Sequence, residues 1–228
     1  MIASQVLRQP FGDVDFSFGA NKTQRSILQY LRDWLPLFLK EFDGHFPSNT
    51  KEDDISGVLA LFLQRQMKKT NLLIDLNRKW GSDFQFTTDE MIGAEPIFLV
   101  EAKRLPSTST RDYVHHHKKP GGISRFKEEQ SGFGEHLTFS AMVGYVQKYD
   151  FDYLFKKVNG WIYDLIKSDD GSFLHWAKTD MLVEAKRGDS VVEYTSAHER
   201  ISKKPIHLTH FWLDMVCGKE VGESSGGQ

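Results

Sequence analysis

Apolar positions along the chain change period several times, and each change marks an element. From Thr23 to Phe42 the residues Ile27, Leu28, Leu31, Trp34, Leu35 and Phe38 recur at steps of three and four. That spacing predicts an amphipathic helix, with Pro36 as a kink or break. A loop, DGHFPSN, follows, and then Thr50 and Asp53 stand in the spacing of a capping box. The helix they open carries Ile55, Val58, Leu59 and Phe62 on one face and runs to about Met67. Three strand-like pieces come next: NLLIDL (71–76), DFQFTTDE (83–90) and PIFLVEAKRL (96–105). The second alternates, with Phe84 and Phe86 on one face and Asp83, Gln85 and Asp89 on the other. The third holds a run of five apolar residues, the mark of a strand buried on both faces. MIGAEP between them is rich in turn signals, so the two strands are read as a hairpin.

Beyond Leu105 a polar loop, PSTSTRDYVHHHKKPGG, leads into a short helix around ISRFKEEQ. LTFSAMVGYVQ (137–147) reads as a strand and FDYLFKKVNGWIYDLIK (151–167) as a helix with Leu154, Val158, Trp161, Ile162 and Leu165 along one stripe. Two more strands are expected at 190–200 and 205–215. The chain thus divides into an arm and helix packing on the core (1–50), a core (51–167), C-terminal strands that complete the sheet or form an interface (168–217), and a disordered tail (218–228). LVEAKR occurs twice, at 99–104 and 182–187, with unrelated flanks, so the echo is not a duplicated domain.

Composition narrows the classes. With 39% hydrophobic residues in 228, the chain can bury one sizeable core. No apolar stretch approaches the ~18 residues of a membrane span, and the first residues lack the basic-then-apolar order of a secretory signal. Cys217 is alone, which excludes an internal disulfide and a cysteine zinc cluster. A cytoplasmic setting without a membrane partner is expected. Lys and Arg total 29 against 31 Asp and Glu, so nucleic-acid binding would need a local basic face. No P-loop or dinucleotide glycine motif is present. Ser196, His198 and His210 have no evident acid partner and no nucleophile elbow, and are read as satisfied polar residues.

From Lys51 to Lys167 the order is helix, three strands, helix, strand, helix, and the third strand carries Glu101-Ala102-Lys103. Order and motif together resemble the PD-(D/E)xK nuclease superfamily, the restriction-endonuclease-like fold. GGISRF and SAMVGYVQ are similar to stretches of uncharacterised bacterial proteins assigned to it. The resemblance implies an α/β fold, a central mixed β-sheet flanked by helices, and a Mg²⁺-dependent endonuclease, with Mn²⁺ as a substitute metal. It implies Glu101 as metal ligand, the Ala102 carbonyl as auxiliary ligand and Lys103 as the lysine that orients or deprotonates water. An Asp on the hairpin completes the site: Asp89 is preferred, because a turn near Ala94–Glu95 brings it almost opposite Glu101, and Asp83 is the other choice. Glu52, from the acidic cluster Glu52-Asp53-Asp54, is the acid expected from the preceding helix. Helix N-terminal charge is the plain alternative for that cluster.

Arg104, Arg111, Lys118, Lys119, Arg125 and Lys127 follow the motif closely and form a candidate DNA-backbone patch. HHHKKPGG is read as a solvated loop rather than a metal cluster, and Gln147 as an auxiliary polar group. The second Glu-x-Lys, Glu184 and Lys186, has a shorter apolar run before it and is expected to be dispensable. The function implied is DNA hydrolysis, of the kind used in bacterial defence against phage, by the chain alone, as a homo-oligomer or with a partner subunit. The alternative is the same fold kept as a non-catalytic module that binds nucleic acid or a protein.

Overall fold

The computed structural model describes residues 20–47, 49–67, 71–76, 82–88, 95–106, 111–115, 121–129, 132–168 and 174–216. Among the described residues four α-helices, α1 (Ala20–Glu41), α2 (Glu52–Gln66), α3 (Gly122–Glu128) and α4 (Phe151–Lys167), flank seven strands. The strands are β1 (Leu72–Asp75), β2 (Phe84–Thr88), β3 (Phe98–Leu105), β4 (Phe139–Val146), β5 (Val183–Arg187), β6 (Val191–Glu199) and β7 (Pro205–Asp214). They form one mixed sheet in the order β1-β2-β3-β4-β7-β6-β5. β1, β2 and β3 are antiparallel neighbours; β3, β4 and β7 run parallel; β6 and β5 return antiparallel. The C-terminal strands therefore extend the same sheet.

The alternation along β3 explains how the sheet is covered. Phe98, Val100 and Ala102 pack into a core with α1 and α2 side chains such as Leu35, Phe38, Leu59 and Phe62. Leu99 and Leu105 point the other way, into a second core with Phe126 of α3, Val158 and Ile162 of α4 and Trp212 of β7. Helices on both faces require β3 and β4 to be apolar almost throughout, since neither face meets water. Burial of each large side chain stabilises by roughly 1.5–3 kcal/mol relative to leaving it exposed. Glu101 and Lys103 have the parity of Leu99 and Leu105, so they face the α3 side.

Pro36, expected as a kink or break, lies inside α1, which runs on to Glu41. One helix start differs from expectation. The Thr50–Asp53 capping box does not form: Lys51 is the N-cap without a side-chain bond, and the Thr50 hydroxyl donates to the Pro47 carbonyl. No helix among the described residues is long and apolar enough to cross a membrane.

Beneath α3, a chain of buried polar groups does have the acid partner that the sequence reading missed. Trp212 Nε1 donates to Tyr113 Oη at 2.9 Å, and Tyr113 Oη lies 2.9 Å from His210 Nδ1. Ser196 Oγ stands between His210 Nε2 (2.7 Å) and His198 Nε2 (2.6 Å), and His198 Nδ1 meets Asp180 Oδ1. Burial pushes both imidazoles below their usual range, so both are neutral. One assignment then satisfies every group: each donates its proton to the next, from the indole N–H through to the Asp180 carboxylate. Burial would raise the Asp180 carboxyl, but His198 and Lys127 outweigh it and hold it below the usual range. Lys127 Nζ, fully buried, meets Asp180 Oδ1 at 2.6 Å and lies over the Trp176 ring.

Asp180→Ala would leave the buried Lys127 ammonium without its counter-charge. Removing one partner of such a pair costs about 3–5 kcal/mol. A fall of that size in unfolding free energy is expected by urea titration.

Candidate active site

Three carboxylates gather around Lys103 of β3. β2 and β3 pair Phe84 with Val100, so the residue before Phe84 faces the residue after Val100: Asp83 lies opposite Glu101. The Asp83 amide donates to the Val100 carbonyl, and its carboxylate Oδ2 accepts from the Ala102 amide at 2.6 Å. Asp83, the second choice from sequence, is therefore the acid brought to the motif. The register differs from one centred near Ala94–Glu95, and Asp89 lies outside the described residues. Alternation alone could not separate the two, because both share the parity of Gln85.

Glu52 arrives from the first turn of α2. Its Oε2 accepts from the Arg104 amide and its Oε1 from Lys103 Nζ, each at 2.9 Å. Asp53 and Asp54 are exposed, so of the three acids Glu52 alone turns inward. Lys103 Nζ stands 2.9 Å from Glu101 Oε1 and 3.9 Å from Asp83 Oδ2, and donates to the Ala102 carbonyl at 2.6 Å. The side chain of Glu101 is only 1% exposed, and a second cation serves it. Arg125 Nη1 of α3 lies 3.2 and 3.1 Å from its two oxygens, with the guanidinium over the Phe133 ring. Among the described residues no three His, Cys, Asp or Glu side chains are disposed as a metal-ligand group. The carboxylates are instead arranged around Lys103.

The electrostatics follow from crowding. Burial, then the neighbouring Glu101, pushes the Asp83 carboxyl up to about 7, against the pull of Lys103. Burial would depress the Lys103 ammonium, but Glu101, Asp83 and Glu52 outweigh it and hold it above the usual lysine range.

The remaining expected residues separate. Lys127 is fully buried against Asp180 and cannot reach a phosphate, which removes it from the basic patch. Arg125 belongs to the acid cluster, a role its sequence position did not signal. Arg104 contributes its backbone amide to Glu52, and Arg111 pairs with Asp164 at the surface. Lys118, Lys119 and most of the histidine run lie outside the described residues. Gln147 closes the same end of the sheet: its amide donates to the Leu105 carbonyl and its side chain to the Thr50 carbonyl. The second motif is on the edge strand β5, exposed throughout, where Glu184 pairs with Arg187.

α3 is held in place by its first residue. Gly122 has φ +53°, and a Cβ there would stand 1.9 Å from the Tyr113 carbonyl oxygen, the acceptor of the Ile123 amide. No family model, curated protein or solved structure matches this chain.

Two measurements check this geometry. Asp83 holds its proton up to about pH 7 when folded but only to 3.8 at its ordinary value. The folded state binds that proton more tightly, so its stabilisation is complete below pH 3.8 and disappears as pH rises through 7. Urea titrations should show the wild type losing stability across that window, by up to a few kcal/mol. Asp83→Asn should flatten the decline. Gly122→Ala should destabilise by more than about 1 kcal/mol, because the backbone contact cannot relax around a methyl. A thermal melt unchanged from wild type would contradict the packing of α3.

Proposed function

We propose that the chain is a metal-dependent nuclease that hydrolyses DNA phosphodiester bonds on a restriction-endonuclease-like core. The observation that carries this reading is the convergence of Glu52, Asp83 and Glu101 on Lys103, from a helix and two adjacent hairpin strands. The succession α2-β1-β2-β3-α3-β4, with β1-β2-β3-β4 as neighbours in that order, supports it. So does the parallel β3–β4 crossover through α3, since it returns Arg125 to the carboxylates.

The donor set suits a hard divalent cation: carboxylate oxygens and the Ala102 carbonyl, with no sulfur or imidazole. Glu101, Asp83 and Glu52 would hold Mg²⁺, or Mn²⁺ in its place. When bound, such a cation would supply Lewis acidity and make a nearby water more acidic. Lys103, now bonded to Glu101 and the Ala102 carbonyl, would turn its ammonium toward that water and the phosphate. Arg125, released from Glu101, would face the phosphate as a second cation. Asp83 would hold the cation as the carboxylate, the form left when its raised carboxyl releases the proton to solvent above about pH 7. A role in bacterial defence against phage suits such chemistry by analogy of fold.

One observation favours the other reading, a non-catalytic module that binds nucleic acid or a protein. Glu101 is already balanced by Lys103 and Arg125, so the cluster is self-satisfied without metal.

Incubation with supercoiled plasmid in Mg²⁺ or Mn²⁺, with an EDTA control, separates the two. Wild type should nick or linearise the plasmid, and Lys103→Ala should lower the rate by roughly 10²–10⁴-fold. Lys186→Ala should cleave like wild type. Cleavage that depends on Lys186 and not Lys103 would reverse the assignment; DNA binding without any cleavage would favour the module.

A further inference from the structure

α4 and the turn before it present an aromatic and basic face, of which Trp161 alone packs partly on the second core. Tyr149, Tyr153 and Tyr163 are 45%, 44% and 47% exposed, large areas for apolar rings to leave in water. Tyr149 and Tyr153 lie with ring centroids 4.6 Å apart. Tyr149 also sits at φ +69°, a left-handed backbone that a side chain other than Gly or Asn adopts at a cost. That strain holds an exposed ring beside its neighbour and contributes nothing to the core. Lysines attend these rings: Lys148 over Tyr149, Lys157 over both Tyr153 and Trp161, and Lys167 over Tyr163.

The acids on this face are already engaged. Asp150 caps the Tyr153 amide, Asp152 pairs with Arg187 and Asp164 pairs with Arg111. What is left to a partner is a run of ammonium groups interleaved with π faces. An acidic peptide would answer the charge but not the rings, and a duplex keeps its base faces stacked inward. A single strand offers both phosphates and free base planes. The face begins near the end of the sheet where the acid cluster lies: Tyr149 is two residues past Gln147, whose amide donates to the Leu105 carbonyl and whose side chain donates to the carbonyl of Thr50, two residues before Glu52.

We propose that Tyr149, Tyr153 and the lysines around them form a stacking platform for single-stranded DNA leading to the Glu101–Lys103 site. The inference rests on the nuclease reading for what happens at the end of that path, and not for the binding itself. Bases stack on Tyr149 and Tyr153, and Lys148 and Lys157 move from the rings to the phosphates. The substrate class this names is DNA with an unpaired segment, such as a flap, a frayed end or a single strand.

Fluorescence anisotropy with a labelled oligothymidine, in EDTA so that nothing is cleaved, tests the platform. Wild type should bind the oligothymidine at least about tenfold more tightly than a duplex of equal length. Tyr149→Ala/Tyr153→Ala should lose about tenfold or more for the single strand with little change for the duplex, while Tyr149→Phe/Tyr153→Phe keeps the affinity. Lys148→Gln/Lys157→Gln should lower the salt dependence of binding. Thermal melts establish that each variant is folded. Equal affinity for single strand and duplex, or a Tyr→Ala pair that binds as wild type, overturns the proposal. Wild type that shows this preference in EDTA but cleaves no DNA in Mg²⁺ or Mn²⁺ overturns the nuclease reading alone, and wild type that cleaves but lacks the preference overturns the platform alone.

Discussion

Setting a carboxylate on the innermost part of the sheet obliges the fold to surround it with positive charge, and much of the local architecture answers that demand. Glu101 lies between two helical layers, where an unpaired anion costs several kcal/mol. Lys103 approaches along the same strand, and Arg125 approaches from α3 across the sheet face. Each cation imposes a condition of its own. Lys103 draws in the Glu52 side chain from the first turn of α2. Arg125 needs α3 seated closely, which only a glycine at position 122 permits.

The seat of α3 is in turn secured from below. Lys127, one helical half-turn from Arg125, is tied to Asp180, and Asp180 ends the run of hydrogen bonds from Trp212 through Tyr113, His210, Ser196 and His198. This network joins β6 and β7 to the helix that serves β3. Residues far beyond the motif in sequence thus fix the position of a group that touches it. The second half of the sheet gives the acid cluster a rigid floor.

Period and run length made most of the fold legible. β3 betrayed itself by five consecutive apolar residues, and α4 by its stripe from Leu154 to Leu165. Glu101, Lys103 and Glu52 were readable because local order and motif coincided. Three things were not. The hairpin register depends on where a turn begins, and alternation is blind to a shift by an even number of residues, so Asp83 and Asp89 looked alike. Lys127 and Arg125 are two residues apart on a short helix, and only the tertiary placement of Asp180 and Glu101 tells a buried cation from a half-exposed one. Asp180 sits sixteen residues ahead of Ser196, in a 3₁₀ turn with no motif to connect them.

The sheet ends at β5, and the way it ends gives the repeated hexapeptide a separate meaning. A free strand edge is a row of unanswered amides and carbonyls, and it recruits other chains unless something discourages them. β5 is short, exposed along its length, lined by Glu184, Lys186 and Arg187, and its pairing with β6 slips between Glu184 and Lys186. In the middle of the sheet Glu-x-Lys draws charges together; at this margin the same letters hold other molecules off. Growth of the sheet by addition of a further strand on that side is thereby opposed, a guard against aggregation built from the residues that elsewhere gather the acid cluster.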